Sequence, residues 1–318
     1  MLSRIAESMF WMSRYMARAE DTARLLDVTY HMLLEQTQES YQLRWDGLIR
    51  INGGQDLFYQ LYDEATAQNV FEFLAFREDN GDSVVSCLNR VRENARTIRD
   101  RISREMWEQI NSLYHTVKAY QPANEVMSGP HRFCSEIIVG SHGFNGVTDA
   151  TLPRDEGWHF LQAGRSLERA ETTARIVDIE YHKLLQATSA IAQPDNHQWM
   201  AVLKSVAAYE IYRRVYHSQI DPERVAELLI LHSTHPRSVR FNVAALQVAL
   251  RSLSGSPAHN YATEAERLTG KLHDTLVYDR IEDIFTRGLH SFLTDLQKTC
   301  RLIGDNIARR YFYYAGVA

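Results

Sequence analysis

The sequence predicts an all-α fold, a helical bundle of two homologous, pseudo-symmetric halves that each open with a long amphipathic helix. Three observations lead there. Apolar residues recur at three- and four-residue intervals, as in Leu88, Val91, Ala95, Ile98, Ile102 and Met106, the spacing that lines one face of a helix. Alternating β-branched runs closed by Asn-Gly turns, the mark of hairpins, are nearly absent. Residues 14–34 and 165–185 align with 12 of 21 positions identical, including RAEDTAR against RAETTAR and DVTYH against DIEYH.

The elements follow in order. The first long helix carries the repeat's first copy. Trp45 opens a further helical run, and QLYDEATAQNVFEFLAF (60–76) continues it. GDSVV (81–85) opens the long helix that holds Leu88 to Met106. VGSHGFNGVTDATLPRDEGW (139–158), with four glycines, is the longest stretch without a clear helical assignment, and long irregular segments in compact domains are often functional. The second long helix follows. Trp199 then answers Trp45, RVYHSQIDPERVAELLI (214–230) answers 60–76, and PRSVR (236–240) answers 81–85. The expected division is a first half over 1–125, a connecting insert over 126–149 and a second half over 150–318, the halves packing as one domain. The C-terminal RRYFYY (309–314) reads as an end that docks on a core or an interface.

Composition bounds the function. The 318 residues are 45% hydrophobic and 24% charged, an ordinary globular balance. A net charge of −5 provides no field for nucleic acid or an anionic membrane. No segment approaches the ~20 apolar residues needed to span a bilayer, and the N-terminus lacks the apolar core and cleavage site of a signal peptide. Cys87, Cys134 and Cys300 are far apart and odd in number, which points to buried free thiols in a cytoplasmic protein rather than disulfides or zinc. Walker A, GxSxG and HExxH motifs are missing, so no enzyme class and no cofactor is expected.

The polar residues of the repeat demand their own explanation. With Arg14 at zero and about 100° per residue, Glu20, Arg24, Asp27 and His31 fall at about 240°, 280°, 220° and 260°. Glu171, Arg175, Asp178 and His182 repeat that stripe, which borders the apolar face instead of opposing it. Packing about a pseudo-twofold axis would bring the two stripes face to face. A self-paired ladder is the plainest account, since Arg24 can reach Glu20 and Asp27 can reach His31. Charges that border a core must be paired somewhere. A metal site built from facing Asp/His pairs has the right ligand types, but an arginine inside each stripe opposes a second cation, and no metal is assigned.

Recognition of an anionic or peptide ligand, or of a partner, is the remaining option. Arg14 and Arg18 flank the first stripe, and Arg165 and Arg169 the second. Arg92, Arg96 and Arg99 stand at i, i+4 and i+7 beside an apolar face, and Arg237 and Arg240 lie in PRSVRF. Guanidinium forks match carboxylates and phosphates. The candidate binding residues are these arginines with Arg24, Arg175, His31 and His182. Glu20, Asp27, Glu171 and Asp178 are the candidates for any catalysis. Asp155 and Glu156 read as helix-capping acids, and His142 and Asp149 lie in the glycine-containing stretch without a defined role.

At this point the residues resemble a family. FWMSRYMARAEDTAR (10–24), ENARTIRDRISREMW (93–107), GVTDATLPRDEGWHFLQAGRSLERAETTAR (146–175) and PRSVRF (236–241) are similar to the bacterial alpha-E proteins across nearly the whole chain. The first repeat departs from the pattern with Ser13 and Ala17, where the second keeps Gly164 and Glu168. The resemblance implies an all-helical protein whose genes lie beside a circularly permuted ATP-grasp protein and a transglutaminase-like peptidase, sometimes with a proteasome-like peptidase. It thereby implies an accessory part in an amide or peptide ligase system, bound to the ATP-grasp ligase or to the peptide it builds. The repeated Glu/Arg/Asp/His stripes are the expected binding surface. An independent enzyme using paired carboxylates or a metal in the same amide chemistry is the alternative.

Overall fold

The computed structural model describes residues 1–33, 39–120, 130–187, 196–217, 219–257 and 260–313, with backbone alone at 33, 39–44 and 182–187. Among the described residues there are fifteen α-helices and no strand. The chain forms two compact units, one of Trp11–Pro153 and one of Met1–Phe10 with Arg154–Ala318.

The 11–153 unit takes most of α1 (Ser3–Leu33), then α2 (Glu39–Asn52), α3 (Gln55–Leu61), α4 (Ala67–Ala75), α5 (Val84–Thr97), α6 (Arg104–Lys118) and α7 (Pro130–Thr151). Hydroxyl caps start the middle helices. Thr66, Ser83 and Ser103 accept hydrogen bonds from the backbone N–H groups of Asn69, Ser86 and Met106 at 3.2, 3.2 and 3.1 Å, satisfying donors that the first helical turn leaves open. The apolar faces meet around Trp45, Phe58, Phe73 and Phe133, all fully buried, with Phe58 edge-on to Phe73 at 5.2 Å and Phe76 against Phe133 at 4.8 Å. Thr22 of α1 donates to Asn52 Oδ1 at the end of α2, 2.9 Å away.

Helix α7 corrects an expectation. The stretch left unassigned at 139–158 is helical through Thr151. Its glycines are contact points: a Cβ on Gly140 would lie 2.5 Å from Leu113 Cδ1, and one on Gly143 would lie 2.7 Å from Gln109 Nε2. Glycine lowers intrinsic helix propensity, but here it lets α6 approach α7 closely. Gln109 Nε2 also donates to the Gly140 carbonyl at 3.2 Å.

The other unit is built on α8 (Glu156–Ala187), followed by α9 (Asn196–Ser205), α10 (Tyr209–Tyr216), α11 (Pro222–Leu231), α12 (Val239–Ser254), α13 (Glu264–Tyr278), α14 (Ile281–Arg287) and α15 (Leu289–Tyr311). Asp155 caps α8, as the sequence predicts, by accepting from Gly157 N at 2.9 Å and Trp158 N at 3.3 Å. α8 packs along α12 and α15, and α13 packs on both of these. Ser238 caps α12 as Ser83 caps α5, accepting from Phe241 N at 3.1 Å. Thr173 of α8 donates to the Arg237 carbonyl at 2.9 Å. Gly255 ends α12 at φ 72°, a left-handed closure that glycine adopts without penalty. The C-terminal aromatics dock: Phe312 lies 5.4 Å from Phe10 and 6.2 Å from Phe160. Cys87, Cys134 and Cys300 are free and buried. No described helix is long and apolar enough to cross a membrane.

Candidate functional site

The polar stripe of α1 is met by α7. Glu20 is fully buried, and its Oε1 accepts from Arg24 Nε and Nη2 at 3.1 and 3.0 Å. Ser141 Oγ donates to Glu20 Oε2 at 3.0 Å, and His142 Nε2 lies 3.2 Å from Oε1 and 2.9 Å from Arg24 Nη2. Two turns further along α1, Asp27 Oδ1 lies 2.8 Å from His131 Nδ1 and 3.4 Å from His31 Nδ1. The first stripe is therefore two contacts deep, a buried carboxylate–guanidinium pair and a more open carboxylate between two imidazoles.

The stripe of α8 is met by α15 within its own unit. Arg175 Nη2 bonds Glu171 Oε1 at 2.9 Å, and Arg301 Nε approaches the same oxygen at 3.8 Å. His290 Nδ1 lies 2.6 Å from Asp178 Oδ1, while Gln297 Nε2 donates to Asp178 Oδ2 at 3.3 Å. The side chain of His182 lies outside the described residues.

His131, Ser141, His290 and Arg301 were not among the candidates drawn from sequence, and His142 was noted only as lying in the glycine-containing stretch. A signal was present, however. His131 and His142 are eleven residues apart, as are His290 and Arg301, and three helical turns return to nearly the same face.

The flanking arginines are distributed differently. Arg14 is buried with its guanidinium 5.2 Å from the Trp11 ring centroid. Arg18 pairs with Asp82 and lies over Tyr15. Arg165 hydrogen-bonds Gln162, and Arg169 is half-buried. Arg237 is buried, and Arg240 donates to the Leu231 carbonyl at 3.3 Å. None of these side chains projects freely as a binding arginine would.

Helices α5 and α6 present a different surface. Arg92 and Arg99 both lie over the Trp107 ring, at 5.7 and 5.5 Å from its centroid, and Arg92 is also 4.8 Å from that of Tyr114. Asn111 Oδ1 accepts from Arg92 Nε at 2.9 Å and fixes the guanidinium's plane. Arg96, two-thirds exposed, pairs with Glu93 at 2.6 Å. Arg99 is exposed and pairs with no carboxylate among the described residues. A guanidinium held on an aromatic face keeps its donor edge outward. In the other unit an open cleft of about 640 Å³ is lined by Arg251, Glu266, Arg267, Lys271 and Asp274, and its charges are mixed, Arg267 being paired with Glu264.

With the geometry in view, comparison with known proteins is informative. Residues 1–312 match the Alpha-E family, described as "A predicted alpha-helical domain with a conserved ER motif". The chain belongs to the Alpha-E family. An uncharacterized protein of Mycobacterium bovis and one of Mycobacterium tuberculosis strain CDC 1551 are each 27% identical to it, and one of strain H37Rv is 26% identical. In all three, 92% of this chain is covered but only 34% of the relative. The chain thus spans about a third of the length of these relatives. No solved structure matches. This Alpha-E chain has Glu-Arg pairs at Glu168-Arg169, Glu223-Arg224 and Glu266-Arg267. Glu168, on α8 beside the stripe, and Glu266 are buried.

Proposed function

We propose that this Alpha-E chain is an accessory helical component of an ATP-grasp-type amide or peptide ligase system in the cytoplasm, binding the ligase or a carboxylate-bearing peptide. A transglutaminase-like peptidase is a further candidate partner. The observation that carries the reading is the Arg92–Trp107–Arg99 platform, where two guanidiniums are oriented on one indole and Arg99 is left without a carboxylate of its own. Such a surface suits a carboxylate more than a neutral ligand. The mycobacterial relatives add support: there the region that aligns with this chain is joined to about twice its length of other sequence, as a component working beside another domain would be.

An independent enzyme with Glu20, Asp27, Glu171 and Asp178 as acid–base groups has less support. Each of those carboxylates is engaged by a cation, an imidazole or a hydroxyl. The test is a titration of the full chain with a fluorescent glutamate-rich peptide. Arg99→Gln should weaken binding by about tenfold, the order of one charge-assisted contact, with the melting temperature unchanged. Arg92→Gln should weaken it similarly while lowering the melting temperature slightly, since Arg92 also packs on Trp107 and Tyr114. Wild-type protein that binds neither this peptide nor, by native mass spectrometry from its own cells, an ATP-grasp chain would refute the proposal.

A further inference from the structure

We infer that Asp27, His31 and His131 form a divalent metal site of the zinc type, joining α1 to the first turn of α7. One donor atom from each of the three residues lies within 4.8 Å of the others. Asp27 and His31 are one helical turn apart, and His131 reaches them from a segment 104 residues away. Two imidazoles and a carboxylate are the donor set that zinc accepts in open sites, leaving a position for water. Donors around a tetrahedral zinc stand about 3.4 Å apart at the usual ~2.0–2.1 Å bond lengths. The side chains of His31 and His131 are 51% and 65% exposed, so modest rotations bring the three into that range.

The hydrogen bonds prepare the rings for this role. The His31 Nδ1 atom lies 2.8 Å from the Asp27 carbonyl oxygen, which can only accept, so Nδ1 carries the proton. The Asp27 carboxylate likewise accepts from His131 Nδ1 at 2.8 Å. His31 is therefore left with its Nε2 lone pair for a cation, whereas at His131 an ion bound to Asp27 replaces the Nδ1 proton and takes that nitrogen. Asp27 itself is left without a Lys or Arg partner among the described residues. The objection raised from sequence, that an arginine inside the stripe repels a metal, loses force. Arg24 is turned onto Glu20 and His142, and Glu20 neutralises it.

In the other unit Asp178 meets His290, also in the first turn of its helix. His182 stands four residues after Asp178, as His31 stands after Asp27.

The experiment uses the full chain, stripped with a chelator and titrated with ZnCl2 against a chromophoric competitor, with CoCl2 as a spectroscopic substitute. Wild-type protein is expected to bind zinc at micromolar or tighter affinity and to give cobalt d–d absorption in the visible. His131→Ala and Asp27→Asn should each remove one equivalent or weaken it at least tenfold, at unchanged far-ultraviolet circular dichroism. Asp178→Asn/His290→Ala separates any contribution of the second set. Zinc binding that is absent in the wild type, or unchanged in both His131→Ala and Asp27→Asn, overturns the inference. Loss of zinc with peptide binding intact, or the reverse, separates this site from the Arg92–Trp107–Arg99 surface.

Discussion

Replacing Arg24 by Met tests whether the Glu20–Arg24 pair is a buried, obligatory element of the 11–153 unit. Glu20 is fully buried and the Arg24 side chain only 14% exposed. The substitution keeps the aliphatic stem and removes both guanidinium bonds, leaving the carboxylate with Ser141 and His142. Stranding a buried charge in this way costs about 3–5 kcal/mol. An escape route sets the ceiling: the carboxyl can take a proton, which at pH 7 and an ordinary glutamate pKa of about 4.3 costs about 3.7 kcal/mol at ~1.36 kcal/mol per pH unit. The expected loss is therefore about 3 kcal/mol at pH 7, or roughly 6–12 °C in melting temperature. By the same arithmetic the ceiling falls to about 1 kcal/mol at pH 5. The sign follows: the variant's stranded Glu20 has a raised folded-state pKa, so its deficit shrinks as pH falls. Urea unfolding of wild type, Arg24→Met and Glu20→Gln/Arg24→Met at both pH values measures this. The double variant should recover most of the loss, because it removes the charge that was stranded. A loss below about 1 kcal/mol at pH 7, or a double variant no better than the single, refutes the buried-pair reasoning.

Other perturbations reach different parts of the fold. Arg175→Met should cost only about 1 kcal/mol by urea unfolding, because Arg175 is 26% exposed and Glu171 keeps Arg301 nearby. Gly140→Ala should destabilise by about 1–3 kcal/mol through its clash with Leu113, and Leu113→Ala in the same chain should relieve over 1 kcal/mol of that in a double-mutant cycle. His235 is buried, and burial, with the nearby charges of His232 and Arg237, lowers its pKa from 6.5 to about 4. The unfolded chain therefore binds this proton first, and stability should fall as pH drops from 6.5 towards 4, by at most about 3 kcal/mol; a His235→Gln curve as steep as wild type over that window would contradict this. Tyr212→Phe should cost about 1–2 kcal/mol in thermal unfolding, since the buried hydroxyl donates to the Gln219 carbonyl and accepts from Asp221 N.

How much of this was legible in the sequence depends on the range of each interaction. The two longest helices and the Arg24–Glu20 and Arg175–Glu171 pairs are local, set within one or two turns, and periodicity and spacing showed them. The single helix expected to hold Leu88 to Met106 is instead broken between Thr97 and Arg104, where Ser103 caps α6. Helix α7 was missed because propensity argues against Gly140, Gly143 and Gly146 in one helix, whereas the reason for the first two lies on α6, at Leu113 and Gln109. That partner surface cannot be read from α7 alone. The same limit hid His131 and His290, whose meaning arises only when the carboxylates Asp27 and Asp178 are placed opposite them.

A stripe bordering an apolar face nevertheless constrains what must face it. Glu20 and Asp27 stand seven residues apart on α1, about 10.5 Å along a helix rising 1.5 Å per residue. The polar groups that meet them stand farther apart along their own helices. His131 and His142 on α7, and His290 and Arg301 on α15, are eleven residues apart, about 16.5 Å by the same rise. The eleven-residue spacing returns each pair to one face, and the length of the His and Arg side chains spans the remaining difference. Exposed cations or imidazoles repeated at that interval on a second helix are the sequence trace of a seam whose other side is already known.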